Sequence, residues 1–84
     1  GMNQSSMMIR VEVAALSIER EFRISDTFTV GESIDAVVSL LSQEYPEIHE
    51  NGEVDFYIED VGFLSREALL KDVVQHPSER IFLL

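Results

Sequence analysis

The chain contains no cysteine. This removes the disulfide frame, the iron–sulfur cluster, the thiolate zinc site and the cysteine nucleophile together. Positive charge is scarce, with 6 Lys and Arg against 16 Asp and Glu and a formal net charge of −10. A balance of that sign is repelled by nucleic-acid phosphates and by anionic membrane surfaces. Apolar runs are too short to span a bilayer. The start, Gly1 to Ser6, has neither the basic nor the apolar region of a secretory signal. Gly1 ahead of Met2 reads as an expression scar, residues 1–7 as a tail, and the protein as soluble and cytoplasmic. The glycines are scattered at 1, 31, 52 and 62, so no phosphate-binding glycine loop exists. No Gly-x-Ser-x-Gly elbow is present. His49 and His76, the only histidines, lie in polar connections without a spaced acid or ligand partner and read as surface residues. No catalytic residue, metal or cofactor is expected, and the chain does not read as an enzyme.

What is present is a single domain: 84 residues, 45% of them hydrophobic, suffice for one core and not for two. Its charge is segregated. No Lys or Arg occurs between Arg23 and Arg66, while Asp26, Glu32, Asp35, Glu44, Glu47, Glu50, Glu53, Asp55, Glu59 and Asp60 fall there. Those ten acids equal the whole net charge; the other six acids and six bases cancel. The stretch reads as a solvated face or as a docking surface for a basic partner. Calcium finds little support: Glu44, Glu47, Glu50 and Glu53 recur every three residues, but Pro46 and Gly52 break any helix aligning them, and the EF-hand spacing is missing.

Periodicity supplies the elements. Met8–Val13 alternates apolar and charged residues, the period-two sign of a half-buried strand with Ile9, Val11 and Val13 inward. After a turn at 14–17, Ile18, Phe22 and Ile24 mark a second strand, making a hairpin. Arg20 falls on its inward face, a conflict that a strand end or a bulge would relieve. Thr29 and Glu32 match a capping box, and Val30, Ile34, Val37, Val38, Leu41 and Tyr45 form an apolar helical stripe. Pro46 places the helix end near residue 44. Glu47–Gly52 is a polar connection. Val54–Glu59 alternates again as a third strand, Tyr57 outward. Phe63-Leu64 is a short fourth strand, Ser65–Val74 a capped helical turn, and Arg80–Leu84 the last strand with Ile81 and Leu83 inward. The expected fold is α+β, a β-grasp over residues 8–84: a mixed four- to five-stranded sheet packed on one helix, first and last strands adjacent at its centre.

The chain resembles ubiquitin in its opening hairpin, in Ser25-Asp26-Thr27 ahead of the helix, and in the Leu70-Lys71-Asp72-Val73 turn before the last strand. Within that class it is most similar to the YukD-type (EsaB-type) ubiquitin-like accessory proteins of bacterial type VII secretion. The similarity runs through Glu19-Arg20-Glu21-Phe22-Arg23-Ile24, helix positions Val30, Ile34 and Leu41, Phe63-Leu64-Ser65, Leu69-Leu70, Asp72 and Ile81–Leu84. It departs from that family at Pro77-Ser78-Glu79, where Asp-Gly-Asp is usual, and at Val73-Val74. The resemblance implies a non-enzymatic protein-binding module, with a secretion ATPase or membrane component as partner; a homodimer is left open. A thiamin- or molybdopterin-type sulfur carrier needs a flexible Gly-Gly tail where this chain has Ile81-Phe82-Leu83-Leu84, and Lys71 is its only lysine. That carrier, and a ubiquitin-like adaptor of another bacterial system, are the alternatives. On the sheet face away from the helix, Tyr57, Phe82 and Leu84 are the expected partner-binding patch, with Arg10 and Arg80 at its rim.

Overall fold

Alternation in the first third of the chain yields a long hairpin. In the computed structural model, which describes residues 5–51, 53–74 and 79–84 and no side chain at 49–51, β1 (Ser6–Val13) pairs antiparallel with β2 (Ile18–Ser25) over all eight residues. A 3-10 turn at Ala14–Leu16 connects them, closed by Ser17 at φ 54°. β1 starts two residues ahead of the apolar alternation because backbone pairing continues: Ser6 and Met7 sit opposite Ser25 and Ile24, and the Asp26 N–H donates to the Ser5 carbonyl at 3.2 Å.

The main helix, α1 (Val30–Glu44), begins at the expected capping box. The Glu32 N–H donates to Thr29 Oγ1 at 3.1 Å, and the Thr29 N–H donates to Glu32 Oε1 at 2.8 Å. Two further N-terminal donors find carbonyls in a distant segment, Val30 N–H on Ala68 at 2.8 Å and Gly31 N–H on Arg66 at 3.0 Å. Helix N-termini leave such donors without intrahelical partners. Here the 66–70 strap supplies them, completed by the Thr29–Leu69 bridge and a Leu70 N–H bond to Phe28. Gly31 permits the approach, since a Cβ there would lie 3.3 Å from the Arg66 carbonyl oxygen. This strap confines the expected helical turn over 65–74 to α2 (Leu70–Val73), which has no side-chain cap.

Beyond α1 the chain forms a 3-10 helix, Pro46–Asn51, where a polar connection was expected, and it buries Ile48. Three short strands follow: β3 (Phe56–Ile58), β4 (Gly62–Phe63) and β5 (Arg80–Leu83). β3 is shorter than the alternation suggests, because the Val54 carbonyl accepts from the Arg66 guanidinium at 2.8 Å rather than from a neighbouring strand. β4 lies one residue earlier than expected. Gly62, at φ 102°, turns the chain into it, and Leu64 passes inward to be buried.

The five strands make one mixed sheet in the order β2-β1-β5-β3-β4, with β1 and β5 parallel at its centre and the other pairs antiparallel. The fold is therefore α+β, one sheet and one main helix. Ile9, Val11, Val13, Phe22, Ile24, Phe56, Ile58, Ile81 and Leu83 of the sheet share a core with Val30, Ile34, Val37 and Leu41 of α1. Ser33 is the buried polar exception among the described residues, and its hydroxyl donates to the Thr29 carbonyl at 2.9 Å.

Arg20 is resolved differently from the expectation. No bulge forms, and the β1–β2 register runs unbroken past it. Its side chain instead lies across the C-terminal end of α1, 3.3 Å from Glu44 Oε1 and 3.0 Å from the Tyr45 hydroxyl, with the guanidinium 5.9 Å from the Tyr45 ring centre. The Glu44 carboxylate, helped by the Tyr45 hydroxyl, holds the guanidinium above its usual pKa. Because β2 is an edge strand, an inward charge there still reaches water.

Candidate partner-binding face

The sheet face opposite α1 follows from strand parity. Tyr57 lies between buried Phe56 and Ile58, so it points away from the core. Phe82 of β5 is its cross-strand partner on one side and Phe63 of β4 on the other. The three rings form a row: Tyr57 and Phe63 meet edge to face at 5.1 Å between centres, and Tyr57 and Phe82 are tilted at 6.5 Å. Such pairs contribute on the order of 0.5–1.5 kcal/mol beyond area burial. Phe63 nevertheless remains 63% exposed. Leu84 continues the face at 46% exposure, its backbone held by reciprocal hydrogen bonds with Asp55 at 2.9 and 3.0 Å.

Tyr57, Phe82 and Leu84 thus share the face the sequence assigned them, and Phe63 joins them unforeseen. A two-residue strand has too little alternation to show which way its side chains point. The one available signal was Gly62, whose positive φ sets the phase of Phe63.

Arg10 and Arg80 are Cα neighbours on β1 and β5 and lie on the same open face. Each is engaged by an acid: Arg10 Nη2 is 3.4 Å from Glu21 Oε2, and Arg80 Nε is 3.4 Å from Glu12 Oε1. The cations closest to the aromatic row are therefore compensated. Its acids other than Glu12 are less so. Glu59 and Asp60 are exposed in the β3–β4 turn, and Glu19 joins Glu12 and Phe82 around an open depression of ≈ 400 Å³ at the hairpin end. A partner meeting this face encounters aromatic surface with acidic corners.

The acidic stretch is used only in part. Glu32 caps α1, Glu44 pairs with Arg20, and Asp55 Oδ1 receives Arg66 Nε at 2.8 Å. A second open depression, ≈ 400 Å³, lies between α1 and the approach to β3, with Asp35, Glu53 and Arg66 among its walls. Among the described residues no group of three or more His, Asp or Glu is arranged to hold a metal ion. Of the two histidines, the His49 side chain and all of His76 lie outside the described residues, as do Pro77 and Ser78. No helix among the described residues is long and apolar enough to cross a membrane. In comparisons with known proteins, no family model and no curated protein matches the chain.

Proposed function

We propose that this chain is a non-enzymatic, ubiquitin-like protein-binding module with a β-grasp fold, and within that class an accessory or regulatory component of a type VII-like bacterial secretion apparatus acting in the cytoplasm. The fold assignment draws on the strand order, the parallel central pair and the single four-turn helix. The secretion assignment draws on the resemblance through Glu19–Ile24 and Phe63-Leu64-Ser65. The observation that carries protein binding is the aromatic row Phe63–Tyr57–Phe82, kept on the uncovered face with Leu84 beside it. Aromatic side chains on an exposed patch are the usual anchors of binding hot spots. The acidic corners suit a partner segment that places an apolar anchor next to Lys or Arg.

The test is affinity capture from the native host with wild type and a Tyr57→Asp/Phe82→Asp variant, both checked for folding by circular dichroism. The expected result is recovery of a secretion ATPase or its membrane partners with wild type alone. An adenylating enzyme in their place would support the sulfur-carrier reading, as would a C-terminal thiocarboxylate seen by intact mass. Identical recovery with both proteins would remove the open face as the site.

A further inference from the structure

The sheet has two edges, and they differ in length. β4 offers two residues, whereas β2 offers eight. The Asp26 N–H bond to the Ser5 carbonyl sets the phase of the β1–β2 ladder. In an antiparallel pair, backbone groups alternate between facing the partner and facing away. Ile18, Arg20, Phe22 and Ile24 therefore turn their amides toward β1, while Glu19, Glu21, Arg23 and Ser25 present theirs at the free edge.

Edges are commonly blunted by charged side chains, an inward-pointing one among them. The inward charge on β2 is Arg20, and it is folded back onto Glu44 and Tyr45 at the end of α1. The outward charges are ordered by sign, Glu19, Glu21, then Arg23. Arg10 binds Glu21, but among the described residues Arg23 makes only a 3.3 Å hydrogen bond to Ser6 Oγ and has no acid partner. From Ser6 to Ser25 the three acids match the three arginines in number, so the excess negative charge lies elsewhere.

We propose that two copies of this chain associate through their β2 edges, antiparallel about a two-fold axis beside Phe22. In that register Phe22 faces Phe22 of the second copy. Glu21 lies opposite Arg23, Arg23 opposite Glu21, and Glu19 opposite Ser25. Residues 21 and 23 of both copies have their free amides aimed across the edge, so the hydrogen-bonding phase and the charge pairing agree. Shifting by two residues sets Glu21 against Glu21 in one direction and Arg23 against Arg23 in the other. Like charges directly opposite are destabilising. The strand thus complements itself best in one alignment, as an isologous contact requires. The result is a continuous ten-stranded sheet with both aromatic rows on its open face, far from the contact. The inference does not depend on the proposed function.

Sedimentation equilibrium on the full chain up to millimolar concentration tests it. Wild type is expected to dimerise. Glu21→Arg and Arg23→Glu are each expected to weaken the dimer on the order of ten- to a hundredfold, because symmetry applies each like-charge contact twice. Mixing these two variants restores complementarity and is expected to give a one-to-one heterodimer, and Glu21→Arg/Arg23→Glu in one chain a homodimer. Circular dichroism verifies that all are folded, and Phe63→Asp is expected to dimerise like wild type. A wild type monomeric at millimolar concentration overturns the proposal. So does a variant mixture that stays monomeric, or a dimer broken by Phe63→Asp and untouched by the charge reversals.

Discussion

Across β1, β2 and the start of β5 the uncovered sheet face carries Met8, Arg10, Glu12, Glu19, Glu21, Arg23 and Arg80, while across β3, β4 and the end of β5 it carries Tyr57, Phe63 and Phe82, with Leu84 continuing it. The first half is built for water. Its charges form a cross-strand ladder, Arg10 with Glu21 and Arg80 with Glu12, of solvent-exposed pairs that add little to stability. The second half meets the same solvent with rings. The core on the other side of these strands does not include the aromatic row. An aromatic side chain offers about 150–250 Å² for burial, and at about 25 cal/mol per Å² a partner covering two or three rings gains several kcal/mol before association costs. On the function proposed above, the charged half of the face stays in water and the aromatic half meets the partner.

The sharpest way to break that assignment is to compare neighbours on β3. Phe56 is fully buried and Tyr57 is half-buried on the opposite face. Phe56→Ala is expected to cost about 3–5 kcal/mol, the range for a buried aromatic replaced by a cavity. Tyr57→Ala loses two ring contacts and no core packing, and about 1–2 kcal/mol is expected. Urea unfolding followed by circular dichroism measures both. Equal losses would make Tyr57 part of the structural core and withdraw it from the binding face.

Next in size is Gly62→Ala. At φ 102° an L side chain is strained whatever room surrounds it, and about 1–2 kcal/mol of destabilisation is expected. Because Gly62 sets the phase of Phe63, the same change should perturb the Phe63 and Tyr57 ring resonances more than those of Phe82. Uniform shifts across all three would show that the row is not organised from the β4 turn.

These positions also separate what was legible in the sequence from what was not. α1 could be placed at 30–44 because its signals are local: Thr29 and Glu32 three residues apart, an apolar stripe, and Pro46 after the end. Tyr57 and Phe82 could be put on one face because each sits beside clear inward residues, Phe56 and Ile81. The missed features all depend on contacts between distant segments. Arg66 closes the α1 N-terminus through its carbonyl and holds Asp55 with its guanidinium, although residues 31, 55 and 66 share no sequence pattern. Ile48 looked like one apolar residue in a polar loop, and only the 3-10 turn after α1 buries it. Arg20 looked like a fault in a strand until the end of α1 came within its reach. Arg10 and Arg80 could be put on the open face from strand parity, but the acids that engage them were invisible until the strands were in register.

Phe63→Ala sharpens the comparison from the other side. With its ring 63% exposed, the residue is expected to contribute no more than about 1 kcal/mol to folding, while its loss should weaken partner capture at least as much as loss of Phe82. A Phe63 variant that unfolds readily, or that captures partners as wild type does, would make the row a structural clasp between β3 and β4.

The smallest effect tests the ladder half. Arg80 and Glu12 form an exposed pair at 3.4 Å, with side chains 60% and 33% accessible. Both ends reach water, so their attraction is screened and offset by the entropy of holding two flexible chains together. A double-mutant cycle with Arg80→Ala and Glu12→Ala is expected to give a coupling of about 0.5 kcal/mol that shrinks further at high salt. Glu12 is also the cross-strand neighbour of Phe82, so its replacement separates two roles. If the ladder only keeps this half wet, Glu12→Ala leaves stability nearly unchanged and alters capture through the lost acidic corner. A salt-insensitive coupling of several kcal/mol would instead mean that the charged half is held as tightly as a buried network, and the contrast between the two halves would no longer separate a solvated surface from a binding one.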